Sequence, residues 1–206
     1  QRAEGLRERI ADLDNREREE DFTFRKGRED HAALSDEIDS LQRRKSNIDT
    51  AQIRIRDALC SALAIGEDEL PFAGELIQVR DEERHWEGAA ERLLRGFGLA
   101  LLVPDALYKA VADWVDHQHL GARLVYFHVR QRKATQGAAL HPQSLVRKLA
   151  IKTDSPHYEW LEQELRQRFD VACCDTGEQF RREARAITRS GQIKDPSGRH
   201  EKDDRS

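Results

Sequence analysis

Methionine is absent from the 206 residues, and the chain begins at Gln1. A natural chain starts with Met, so the expectation is a piece of a longer protein. Aromatic residues make up only 6%, which limits the compact core. No apolar run reaches the roughly 18 residues that span a bilayer, and no signal peptide is visible. The reading therefore has no membrane partner. The three cysteines, Cys60, Cys173 and Cys174, are odd in number and lack a CxxC pair. That argues against a disulfide framework and against a zinc hook, and it fits a reducing cytoplasm. No GxxxxGK[ST] loop is present to cradle phosphates. No Ser/His/Asp or paired-carboxylate arrangement has a supporting motif. The chain is expected not to be an enzyme in itself, with no catalytic, cofactor or metal residues.

What the chain has in quantity is charge: 36% of residues are Asp, Glu, Lys or Arg, for a net charge of only −4. Residues 1–66 contain no Pro, Trp or Tyr, and 28 of them are charged. A 3-4 repeat runs through Leu6, Ile10, Leu13, Phe24, Leu34, Ile38, Leu41, Ile48, Ile55 and Leu59. An apolar residue every 3.5 positions gives a helix one seam that supercoils against a partner. Glu17, Glu20, Gly27, His31, Lys45 and Gln52 interrupt the seam, and Phe22 to His31 reads as a break or elbow. A helix from Leu6 to Ile65 would be roughly 90 Å long. The alternative is a long helix of an ordinary bundle.

Gly66 and Pro71 end this arm, and composition then changes. All three Trp and all three Tyr lie between Trp86 and Trp160. Glu75–Arg80 reads as a strand, and Trp86, Ala90, Leu93 and Phe97 as a helix face. Leu99–Val103 reads as a buried strand ended by Pro104, and Asp105 as the cap of a helix carrying Leu107, Val111 and Trp114. Arg123–Val129 is a third strand. Ser155 and Pro156 start a helix striped by Tyr158, Leu161, Leu165 and Phe169. Asp170–Cys174 is a last strand, Phe180 to about Thr188 is helical, and the tail from Gly191 is loop-like. Strands alternating with helices imply an α/β domain of roughly 110 residues. The expected organisation is a coiled-coil arm over 1–66, an α/β domain over 67–180, and the start of a returning arm with a polar tail over 181–206.

From His117 to Thr153 there are seven cations and no acid: Arg123, Arg130, Arg132, Lys133, Arg147, Lys148 and Lys152. Residues 67–91 hold nine acids against Arg80 and Arg84. Such a basic stretch can hold DNA phosphates without reading sequence. A charge-complementary dimer or arm contact, or a plain solvated face, fits the same pattern. Gly96-Phe97-Gly98 lacks the full GxGxxG pattern and reads as close backbone packing rather than a nucleotide loop. His117 and His119 point to different sides of a helix. Neither they nor His200-Glu201-Lys202-Asp203-Asp204 make a convincing metal site.

Residues 77–129 (IQVRDEERHWEGAAERLLRGFGLALLVPDALYKAVADWVDHQHLGARLVYFHV) resemble the hinge of SMC-like ATPases of the MukB/MksB family. Within that family the likeness is to the JetC-type subunits of Wadjet anti-plasmid systems. Residues 144–183 (SLVRKLAIKTDSPHYEWLEQELRQRFDVACCDTGEQFRRE) continue it, and residues 186–205 look like the segment leading back into the arm. The resemblance implies an α/β hinge domain at the tip of a long antiparallel coiled coil. It also implies homodimerisation through that hinge, in a condensin-type complex that extrudes DNA loops and restricts plasmids. ATP and Mg would bind a head domain outside this sequence, and kleisin and accessory subunits would bind elsewhere on the parent. DNA would be the substrate, in a bacterial cytoplasm at the nucleoid. A DNA-binding tip domain and a coiled-coil scaffold for other subunits are the alternatives.

Overall fold

The computed structural model describes residues 16, 18–32, 34, 35, 48–130 and 139–204. Chain contacts divide it into two units, Gln1–Lys45 and Ser46–Ser206. In the first unit, helix α1 covers 18–32. The break expected over Phe22 to His31 is therefore absent. A single glycine, Gly27, costs a helix only about 1 kcal/mol relative to Ala, and good helix formers surround it. The Thr23 hydroxyl donates back to the Glu19 carbonyl at 2.8 Å, within the turn. Phe22, Phe24 and Leu34 stand 65%, 67% and 60% exposed.

The second unit opens with α2 (Thr50–Leu63). Asp49 leaves the helical region (φ −58°, ψ 135°), and its carboxylate accepts from the Ala51 N–H at 3.2 Å, a side-chain N-cap. One helix from Leu6 to Ile65 is thus excluded. The heptad positions Ile48, Ile55 and Leu59 face the core of this unit. They make a globular helix face rather than a continuation of the arm seam, because spacings of three and four serve both purposes.

The elements that follow are β1 (Ile77–Val79), α3 (Glu87–Gly98), β2 (Leu101–Pro104), α4 (Asp105–His117), β3 (Tyr126–Val129), β4 (Leu149–Ile151), α5 (Tyr158–Arg168), β5 (Ala172–Cys174), α6 (Gly177–Arg182), β6 (Ala186–Thr188), β7 (Gln192–Lys194) and β8 (His200–Lys202). They build three sheets. β1 and β4 pair antiparallel, β2 and β3 pair parallel, and β5-β6-β7-β8 form a four-stranded sheet. Strand β2 is fully apolar because it is buried on both faces. Leu102 joins a large cluster with Trp86, Phe97, Leu161 and Ile187, whereas Leu101 and Val103 join a second with Leu59, Phe72 and Val111. Strand β5 divides in the same way. Cys173 enters the large cluster, while Ala172 and Cys174 meet Phe180 and Ala186 in a third. Alternation of side chains across a strand is the cause in both cases.

Several local expectations are corrected. Residues 186–188 are a strand, not helix. α6 ends at Arg182, where the Lys194 ammonium donates to the carbonyls of Phe180 and Arg181 (3.5 and 3.0 Å), and Ala186 and Ile187 are fully buried beside β5. The tail from Gly191 is not loop but two more strands, turned by Gly191 and Gly198 at φ +81° and +84°. A cation over the last carbonyls suits a helix end, and glycine suits a left-handed turn. The N-cap of α4 is Pro104 and that of α5 is His157, neither with a side-chain cap bond. At the GFG motif, Gly98 packs on Gly74. A Cβ at Gly74 would sit 3.0 Å from the Gly98 carbonyl oxygen. Among the described residues, no helix is long and apolar enough to cross a membrane.

Candidate functional site

The five basic residues of this stretch that the structure describes are spread over separate elements. Arg123 lies in the loop before β3, exposed, and its carbonyl accepts from the buried Gln52 Nε2 at 2.7 Å. Arg130 is exposed just past β3. Arg132 and Lys133 lie outside the described residues. The other three flank β4, Arg147 and Lys148 before it and Lys152 after it. Arg147 folds back onto its own loop, donating to the carbonyls of His141 and Leu140 at 3.0 and 3.3 Å. Lys148 is turned inward, only 17% exposed, with its ammonium 2.8 Å from Glu83 Oε2 and over the Trp86 ring. Lys152 is half-exposed, 4.0 Å from Asp154. The antiparallel register of Val79 with Leu149 brings part of the basic stretch against the acidic 67–91 segment. Charge pairing within the chain therefore accounts for Lys148.

A tighter constellation forms where β2 and β3 run side by side. The parallel register sets Val103 against His128 and Pro104 against Val129, so the start of α4 faces the end of β3. His128 Nε2 lies 2.6 Å from Asp105 Oδ1, and the Tyr108 ring stacks on the imidazole at 3.8 Å with 2° between the planes. Arg130 Nε–H donates to His128 Nδ1 at 3.2 Å. Arg130 Nε also lies 3.5 Å from His128 Nε2, so its N–H points at the imidazole between the two ring nitrogens. Asp105 thus serves the site rather than capping α4. Its carboxylate is 77% exposed, Tyr108 is 36% exposed, and the His128 side chain between them is 16% exposed. Sequence reasoning missed His128 and Tyr108. Only the β2–β3 register brings them together, and no spacing along the chain encodes that register.

Sequence reasoning also missed the polar face of α2. Arg56 is 3% exposed, 2.6 Å from Glu75 Oε2 and 3.3 Å from Glu67 Oε2, with its guanidinium over the Phe72 ring. Glu75 in turn accepts the Phe72 N–H at 2.9 Å. With Gln52, this pins α2 to two distant segments. The thiols have no reactive geometry. Burial raises those of Cys60 and Cys174 and pushes Cys173 up to about 12. His117 bonds the Asp113 carbonyl oxygen of its own helix, and His200 stacks edge-on to Phe180. Among the described residues, no three His, Cys, Asp or Glu side chains converge to hold a metal.

No known family profile and no curated protein matches the chain. Solved structures do match. The Pyrococcus furiosus Smc hinge domain with an extended coiled coil superposes with a TM-score of 0.55 at 16% identity, covering 85% of this chain and 66% of that one. The Pyrococcus furiosus SMC protein hinge domain gives 0.54 at 19% identity, covering 81% and 86%. A structure of the folded elbow of cohesin gives 0.54 at 16% identity, covering 84% of this chain but 26% of that one. The α/β fold seen here is that of SMC hinge domains.

Proposed function

We propose that this chain is the homodimerisation hinge of an SMC-like protein, with part of its arm. The observation that carries the reading is the fold match to two hinge domains over more than four-fifths of the chain. The arm is assigned to the first unit and the hinge to the second. Residues 46–66 and 186–202 belong to the hinge on this reading, because α2 fills its core and β6–β8 complete its largest sheet. Joining two such tips links two ATPase heads, outside this sequence, into one ring or V that encloses DNA. The motifs of residues 77–129 and 144–183 favour a MukB-like parent of the JetC type, acting with kleisin and accessory subunits in plasmid restriction. Catalysis is assigned to the parent's heads and not to this chain.

Light scattering on the full chain, and on residues 46–204, tests the central claim. Both should show twice the monomer mass at micromolar concentration, and a monomeric full chain would end the hinge reading. DNA contact by the hinge is a second proposal, favoured by Arg123 and Arg130 standing exposed on either side of β3, with Lys152 nearby in sequence. Arg147, though exposed, is held by the carbonyls of its own loop, Lys148 is paired with Glu83, and Arg132 and Lys133 enter on sequence alone. Three phosphate contacts would give a salt slope of about −2.7. Replacing Arg123 and Lys152 with Glu should lower the salt slope by about two without altering the mass. No retardation by the wild-type chain at about 50 mM salt would remove the proposal.

A further inference from the structure

We draw no further inference here: the strongest candidate, the exposed strand β8 at the border of the four-stranded sheet, carries nothing, because nothing in the structure shows what covers it.

Discussion

Arg56 has almost no exposure, yet its two carboxylate partners differ: the Glu75 side chain is 12% exposed and that of Glu67 is 55% exposed. The two contacts should therefore count very differently. Arg56→Ala removes a buried cation from beside the Glu75 carboxylate and should cost about 3 kcal/mol. Glu67→Gln breaks only a wet contact and should cost less than about 1 kcal/mol. Urea denaturation of both variants checks this, and equal losses would show that the buried contact is not the strong one. His157 supplies a pH effect. Its ring is buried, its Nδ1 has no hydrogen-bond partner among the described residues, and burial holds its pKa below the ordinary 6.5. Well above pH 6.5 the ring is neutral in both the folded and unfolded chain, so it adds no pH dependence there. As pH falls below that value, the unfolded chain takes up a proton the folded chain refuses, and stability declines down to the folded pKa. His157→Leu should flatten this part of the urea-midpoint profile between pH 7.5 and 5, conditions chosen at about one unit or more on either side of the usual histidine value. Parallel profiles for the variant and wild type would refute the assignment.

Among the elements, α2 shows best where reading a sequence stops. Its Ile55 and Leu59 continue the heptad count of the preceding residues without a break, so pattern alone assigns them to the arm. In the fold Leu59 packs with Leu70, Phe72, Leu101 and Val103, and Ile55 is buried. A chain starting at residue 67 should consequently fail to fold, with weak near-ultraviolet dichroism and no cooperative melt, whereas one starting at Ser46 should melt sharply. A cooperative melt from the shorter chain would mean that α2 is dispensable. Strands that are apolar throughout, such as β2 and most of β3, were legible because nothing else suits Leu-Leu-Val or Val-Tyr-Phe bounded by polar turns. Strands β7 and β8 were not. β8 is exposed at all three positions, so burial wrote no alternation into it. The Asp105–His128–Tyr108 group was illegible for another reason: it depends on which strands pair and in what register. The basic stretch was plain in composition, but only the β1–β4 pairing showed that part of it is turned inward.

At the scale of the whole Ser46–Ser206 unit, each of the three apolar clusters holds one cysteine: Cys173 in the largest, Cys60 in the second and Cys174 in the third. The native thiols should resist an aromatic disulfide reagent, being buried with raised pKa values. Along a urea series all three should become reactive together, in step with the loss of helix signal, if the clusters that β2 and β5 join unfold as one. Earlier reaction of Cys174 would show that the α6–β6 corner opens by itself. The Asp49 cap has a consequence of another kind. Because α2 is started by its own side chain and not by helix running in from upstream, its seating does not depend on the phase of the heptads before it. Residues inserted or deleted ahead of Asn47 should leave the unit's melting unchanged. The unit is in that sense a portable cassette, transplantable onto the helices of another arm without redesign of its interior.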